Sequence, residues 1–369
     1  PPFFFNAQPA KGHPLWSRGL GDVYKRQVLG ADRDRPGGFE GPYDKDVAFH
    51  EPFTTFAFIA AVTKKLDMIT TVMILPQRQT VLVAKQAAEL AILSNNRFKL
   101  GIGVGWNTVE YTGLNENFKN RGKRQEEQVE LMRLLWESEV LEYKGDYHHI
   151  DKASINPRPS KSVPIWFGGG APQLIERCAD LGDGWIPLMG PNEAARKTLA
   201  AIKEKRESKG LDWDNFGVQA QAQYAGGDAE RWNKHAEKWR NLGASHLAIA
   251  THNAEPTNVD GHLGRIKEYL NAVTEPTDLF IVHASAGIEQ LSARFSKGQC
   301  NTKAQPVALH PEKNIALLSF HSPGGGSAPR SVPSGLEIGQ LAASCYQVNP
   351  TSMPIPPERY HRHTSHLQE

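Results

Sequence analysis

Gly168, Gly169 and Gly170 stand between an apolar run, Val163-Pro164-Ile165-Trp166-Phe167, and Pro172, which suits the first turn of a helix. Three residues without Cβ atoms at a strand-to-helix turn let another group approach the backbone closely. The free N–H groups of the helix start then form a site for a phosphate or another anion. A tight turn that holds nothing would use the same residues. A second glycine-rich strand end, Gly101-Ile102-Gly103-Val104-Gly105-Trp106, favours a bound phosphorylated cofactor. Neither loop has the GxxxxGK(S/T) spacing of a nucleoside triphosphate site. Gly101, Gly103 and Gly105 also lack the later glycine of a dinucleotide fingerprint.

These loops need strands and helices to hold them. Leu174, Cys178 and Leu181 mark the buried face of a helix that Gly182 ends, and Gly184-Trp185-Ile186-Pro187 begins another strand. A strand, glycine loop, helix and strand in that order predict an α/β protein with parallel strands. The pattern extends both ways. Upstream, helices are expected over 51–63, 81–93 and 121–136, with strands over 66–75 and 98–104. Downstream, helices are expected over 193–208, 229–242 and 261–273, with strands over 218–224 and 246–250. Residues 137–162 form an excursion, in which Tyr143-Lys144-Gly145-Asp146 suggests a turn between two short extended pieces. Six strands, each followed by a helix, fit a (β/α)8 TIM barrel lacking its first two strands better than an open doubly wound sheet.

Composition narrows the function. With 369 residues, 39% hydrophobic and 22% charged, the chain can bury a large core. A formal charge of +2 argues against nucleic acid or an anionic membrane as partner. No apolar run approaches the roughly 20 residues of a membrane span. Three cysteines, Cys178, Cys300 and Cys345, have no disulfide or metal-ligand spacing, so a reducing cytoplasm is the expected compartment.

The ends read differently. Residues 1–27 carry four prolines and no periodicity, and Gly19 to Gln27 reads as foreign to the fold. Residues 276–369 read as an irregular tail, disordered or out of frame. His361, His363 and His366 there have no carboxylate or cysteine at ligand spacing, and no metal is expected. The expected organisation is therefore a leader over 1–27, a barrel over 28–275 and a tail over 276–369.

Four motifs, TTVMILPQR (70–78), RFKLGIGVGW (97–106), WFGGGAP (166–172) and GDGWIP (182–187), resemble the luciferase-like family of flavin-dependent oxidoreductases. The nearer branch is the one that uses the deazaflavin coenzyme F-420 (F420). This resemblance implies a barrel with FMN or F420 lying across the C-terminal ends of its strands. It implies a cis peptide at Thr71–Val72, cofactor contacts from Thr71, Val72, Val104 and Gly105, and a phosphate loop at Gly168, Gly169 and Gly170. It sets Trp106 where deazaflavin-dependent sugar-phosphate dehydrogenases carry an acid, which argues against that substrate class. Trp106 is then a pocket wall or a core residue. Glu110 is the nearest carboxylate for acid–base work, although a solvated glutamate at a helix start is the commoner arrangement. Relatives carry a catalytic Asp-His or similar pair where Arg26-Gln27 stands, so no catalytic residue is assigned. His50 is the best remaining histidine, and a structural role is favoured for it.

The expected function is a luciferase-like oxidoreductase or monooxygenase acting on a small organic substrate. With FMN it would oxygenate, drawing reduced flavin from a separate reductase; with F420 it would exchange hydride. A homodimer is the family expectation. The rival expectations are a non-catalytic flavin-binding protein and an inactive fragment. A barrel short of two strands exposes two edges, so poor solubility is expected.

Overall fold

The computed structural model describes residues 28–273, apart from 42–43, 47–48, 65–66, 252–253 and 255–258, together with strands Leu279–His283 and Asn314–Ile315. The leader over 1–27, including Arg26-Gln27, and the tail histidines lie outside the described residues. Helix α1, Pro52–Val62, starts on a proline and is capped by Glu51, whose carboxylate accepts the Thr54 N–H. Strands β1 (Met68–Ile69) and β2 (Met73–Ile74) follow, then a 3-10 turn over Leu75–Gln77. Helix α2 (Thr80–Leu93) leads into β3 (Phe98–Gly103). A short α3 (Thr108–Gly113), absent from the sequence expectation, precedes α4 (Arg121–Glu137). The excursion is an antiparallel hairpin, β4 (Leu141–Lys144) with β5 (His149–Ala153). Then come β6 (Ile165–Gly168), α5 (Pro172–Leu181), β7 (Gly184–Ile186), α6 (Glu193–Ser208), β8 (Gly217–Gln223), α7 (Ala229–Asn241), β9 (His246–Ala250) and α8 (Val259–Ala272).

The strands form one parallel sheet that curls into a partial barrel, in the order β1-β3-β6-β7-β8-β9. It continues into β10 (Leu279–His283) and β11 (Asn314–Ile315), both parallel to their neighbours. The sheet thus passes the point near Pro276 where the sequence pattern reads as ending. Among the described residues no strand precedes β1. The single strand expected over 66–75 is broken: β1 and β2 both pair with β3, on either side of a cis peptide at Thr71–Val72.

Parallel strands are covered on both faces, which is why they read as apolar runs rather than alternating ones. On the outer face, Phe98 packs its ring against Phe53 and Phe56 of α1. On the inner face, Trp166 lies edge-on to His246 with ring centroids 4.9 Å apart. A Cβ at Gly217 would lie 2.0 Å from Trp166 Cζ2, and one at Gly184 2.4 Å from Trp166 Cδ2. Those two glycines are the space the indole occupies.

The strand starts are tied by arginines. Arg97 donates to the carbonyl of Thr63 after α1, and Arg206 to those of Ala179 and Gly182 at the end of α5. Arg133 bonds Asp183, which also accepts the Ile165 N–H. The opposite, C-terminal ends of the strands carry the glycine loops.

Candidate functional site

Val72 is the wedge of the barrel mouth. A Cβ at Gly168 would lie 2.4 Å from its Cγ1, and one at Gly103 2.7 Å from its Cγ2. Both strands end in glycine because the valine methyls stand there. Thr71, before the cis bond, is 2% exposed. Gly105 has φ +67°, in the left-handed region, and a Cβ there would meet Ile74 Cγ2 at 2.8 Å. The Val104 carbonyl accepts the Tyr111 hydroxyl at 2.7 Å. Thus Thr71, Val72, Val104, Gly105 and Gly168 come together at one end of the sheet. Close packing already accounts for three of the glycines there.

The rest of the loop has a different character. Gly169 has φ +132°, which side chains rarely adopt, so glycine is required by the backbone itself. Its N–H bonds the Ile186 carbonyl at 3.1 Å, and its own carbonyl accepts the Trp185 indole N–H at 2.7 Å. Gly170 and Ala171 are exposed, although a Cβ at Gly170 would lie 2.5 Å from Met189 Cε, and no side chain caps α5. Helices α3, α6 and α7, by contrast, are capped by Asn107, Asn192 and Asp228. Uncapped N–H groups with the positive end of the helix dipole behind them are what an anion needs. The loop therefore fits a phosphate, and the absence of acidic side chains from it agrees with that.

Glu110 is not the solvated glutamate expected from sequence. It is 3% exposed and lies under the loop that begins at Val28. Its carboxylate accepts the Val28 N–H at 2.6 Å, the Leu29 N–H at 3.3 Å and the Gln77 amide at 3.3 Å. Burial pushes its carboxyl above the ordinary value, against the lowering effect of those hydrogen bonds. Gln77 and Asn107, both buried beside it, were not singled out in the sequence. Gln77 lies within the TTVMILPQR motif, and that was the available signal. Gln77 keeps its side-chain oxygen Oε1 without a partner.

Trp106 is half-buried. Its ring lies 5.7 Å from that of Phe39 and covers Gly41. It thus joins the loop over 28–41 to the end of β3. His50 is half-buried just ahead of α1. Cys178 is fully buried, its thiol pushed up by burial and aimed at the Gly184 carbonyl.

The model of the luciferase-like monooxygenase family matches residues 28–288. The chain belongs to this family. A relative in Mycolicibacterium gilvum, an F420-dependent glucose-6-phosphate dehydrogenase, is 33% identical over 286 residues, 74% of this chain and 79% of that one. An uncharacterised protein of Mycobacterium bovis is 36% identical over 162 residues, 44% of this chain and 56% of that one. The pyrimidine monooxygenase RutA of Allorhizobium ampelinum is 30% identical over 188 residues, 48% of this chain and 51% of that one. The chain spans about half the length of the latter two relatives. This luciferase-like chain thus has relatives that are dehydrogenases and monooxygenases. Among its described residues no helix is long and apolar enough to cross a membrane.

Proposed function

We propose that this luciferase-like barrel binds FMN or F420 across its mouth and uses it to oxidise, reduce or oxygenate a small organic molecule. The observation that carries this reading is the uncapped start of α5 behind the left-handed Gly169, beside the Val72 wedge. Gly170, Ala171 and Gln173 would present N–H groups to the cofactor phosphate, and Gly169 holds the loop in the required shape. Val72 would back the ring, with Thr71, Val104 and Gly105 around it. When bound, FMN supplies oxygen activation or hydride transfer, and F420 supplies hydride transfer alone.

The protein's own part is binding, orientation and exclusion of water. Trp106 and the loop over 28–41 would wall the substrate side. Glu110 would act as a positioning residue, holding that wall through Val28 and Leu29. In this reading the working unit is the barrel of residues 28–275 extended by β10. A small-molecule substrate is its partner, with a flavin reductase as a second partner if FMN is the cofactor.

The test is a fluorescence titration of the full chain with FMN and with F420, each oxidised and reduced. One cofactor should bind tightly, and Gly169→Asp, which adds a charge and a side chain at φ +132°, should weaken it by about two orders of magnitude. Failure of both cofactors to bind a cooperatively folded sample would refute the assignment.

A further inference from the structure

A second concave site, with a lining of its own, lies at the same end of the sheet as the mouth. A cleft of about 800 Å³ opens between the start of α2, the first turns of α4 and the β4–β5 hairpin. None of Thr71, Val72, Val104, Gly105 or Gly168–Gly170 lines it. Its charged lining is Arg78, Lys85 and Arg124 against one carboxylate, Glu116, with His148 beside them.

Two independent features in it call for an anion. Helix α2 runs for 14 residues from Thr80, and no side chain caps it. Its first-turn residues Thr80, Val81 and Leu82 line the cleft, so the positive end of the helix dipole faces it. Arg124 is the second feature. It is 8% exposed and pairs with Glu116 through Nη1, while Nε and Nη2 have no partner. A guanidinium has five donors in a fixed fork, and leaving some of them buried and unpaired is costly.

The two features are adjacent. Gln128, one turn beyond Arg124 on the same helix, donates to Thr80 Oγ1 at 3.0 Å. Residues four apart on a helix are about 5–6 Å apart, which sets Arg124 about one turn from the α2 start. His148 Nε2 meets the same Thr80 oxygen at 2.6 Å, so the hairpin wall is fixed to the same point.

We propose that this cleft is a binding site for the phosphoryl group of a small molecule. The donors come from two helices, the first-turn N–H groups of α2 and Arg124 of α4; Lys85, on α2 itself, is held by Glu89 Oε1 at 2.7 Å and by the Asn156 carbonyl at 2.6 Å. N–H groups and a guanidinium fork converging from two helices can share the three oxygens of a tetrahedral head, one more than a carboxylate offers. Val81 and Leu82, exposed by 41% and 51%, give the cleft an apolar edge for the carbon part of the ligand.

The experiment is calorimetric titration of the full chain with inorganic phosphate, glycerol 3-phosphate and acetate at constant ionic strength. Phosphate or the phosphate ester should bind saturably, and Arg124→Gln should weaken binding about tenfold or more. Arg124→Gln strands Glu116 and can unfold the chain, so Leu82→Asp is the second variant. Its carboxylate suits a first helical turn and repels an anion there. Binding that survives Gly169→Asp but not Leu82→Asp locates the site in the cleft. Tighter binding of the ester than of the free ion supports an organic phosphate, and the reverse order supports inorganic phosphate. Three results overturn the proposal: no saturable phosphate binding by a folded wild type, acetate binding as tightly as phosphate, or loss in Gly169→Asp with retention in Leu82→Asp.

Discussion

A carboxylate shut away from water favours its neutral form, and Glu110 is held in that position by N–H groups more than 80 residues earlier in the chain. Its pKa in the folded state lies above the ordinary 4.5. The native state therefore keeps a proton that the unfolded chain has released. The stability this provides is full below 4.5 and is lost as pH rises through the raised value. Glu110→Gln should remove that slope, since an amide still accepts from Val28 and Leu29 and can donate to the free Gln77 Oε1. Glu110→Ala should lose about 1–3 kcal/mol, because two N–H groups are left unpaired. Urea unfolding at a series of pH values separates the two outcomes. The sequence did not reveal this burial, because the partners are distant and a glutamate three residues into a helix normally faces solvent. The glycines were partly legible. Their clustering at strand ends pointed to a binding loop, and Gly169 has the backbone such a loop needs. Spacing could not show that Gly103 and Gly168 make room for Val72, or Gly184 and Gly217 for Trp166. A missing Cβ looks the same whether a ligand or a side chain takes its place.

Among the elements, the β4–β5 hairpin depends on one side chain. Glu127 of α4 accepts the N–H groups of Asp146, Tyr147 and His148 and meets His148 Nδ1 at 2.8 Å. Burial raises its pKa, but the hydrogen bonds from His148, Tyr147 and Asp146 outweigh that and hold it below 4.5. The stability it provides is therefore present above 4.5 and lost as pH falls through the lowered value. Glu127→Gln should free the hairpin tip while the barrel stays folded. Hydrogen exchange at residues 146–148 should quicken, in the wild type at acid pH and in the variant at neutral pH. Unchanged exchange in the variant would mean that other contacts hold the tip. The hairpin was legible in outline, since Gly145 and Asp146 between extended pieces mark a turn. Helix α3 was not, because six residues after a glycine-rich strand end are too few to show a period. The break at Thr71 was hidden within one apolar run, and only the resemblance of TTVMILPQR to the family pointed to the cis bond found there.

At the scale of the whole molecule, the alternation of the long helices with the strands of the main sheet from 51 to 273 was legible in the apolar pattern, because those strands are buried on both faces and those helices on one. The strand at 279–283 was missed because four apolar residues, Leu279 to Val282, shortly after Pro276 show no alternation. The inner face is built round Trp166, with glycines on the neighbouring strands and His246 at its edge. Burial holds the His246 imidazole down to about 3, so it is neutral there at ordinary pH. Trp166→Ala should leave a cavity that no neighbour can fill, because Gly184 and Gly217 have no side chains. A loss of about 3–5 kcal/mol is expected, measured by chemical denaturation. A loss below about 1 kcal/mol would mean that the strands close in. Trp185, on the face away from Trp166, has its indole N–H bonded to the carbonyl of Gly169. Any change in that loop alters the electric field at a buried chromophore. Of the chain's eight tryptophans, Trp185 is thus wired to the glycine turn, and the part of the emission lost in a Trp185→Phe variant should report loop movement without a label.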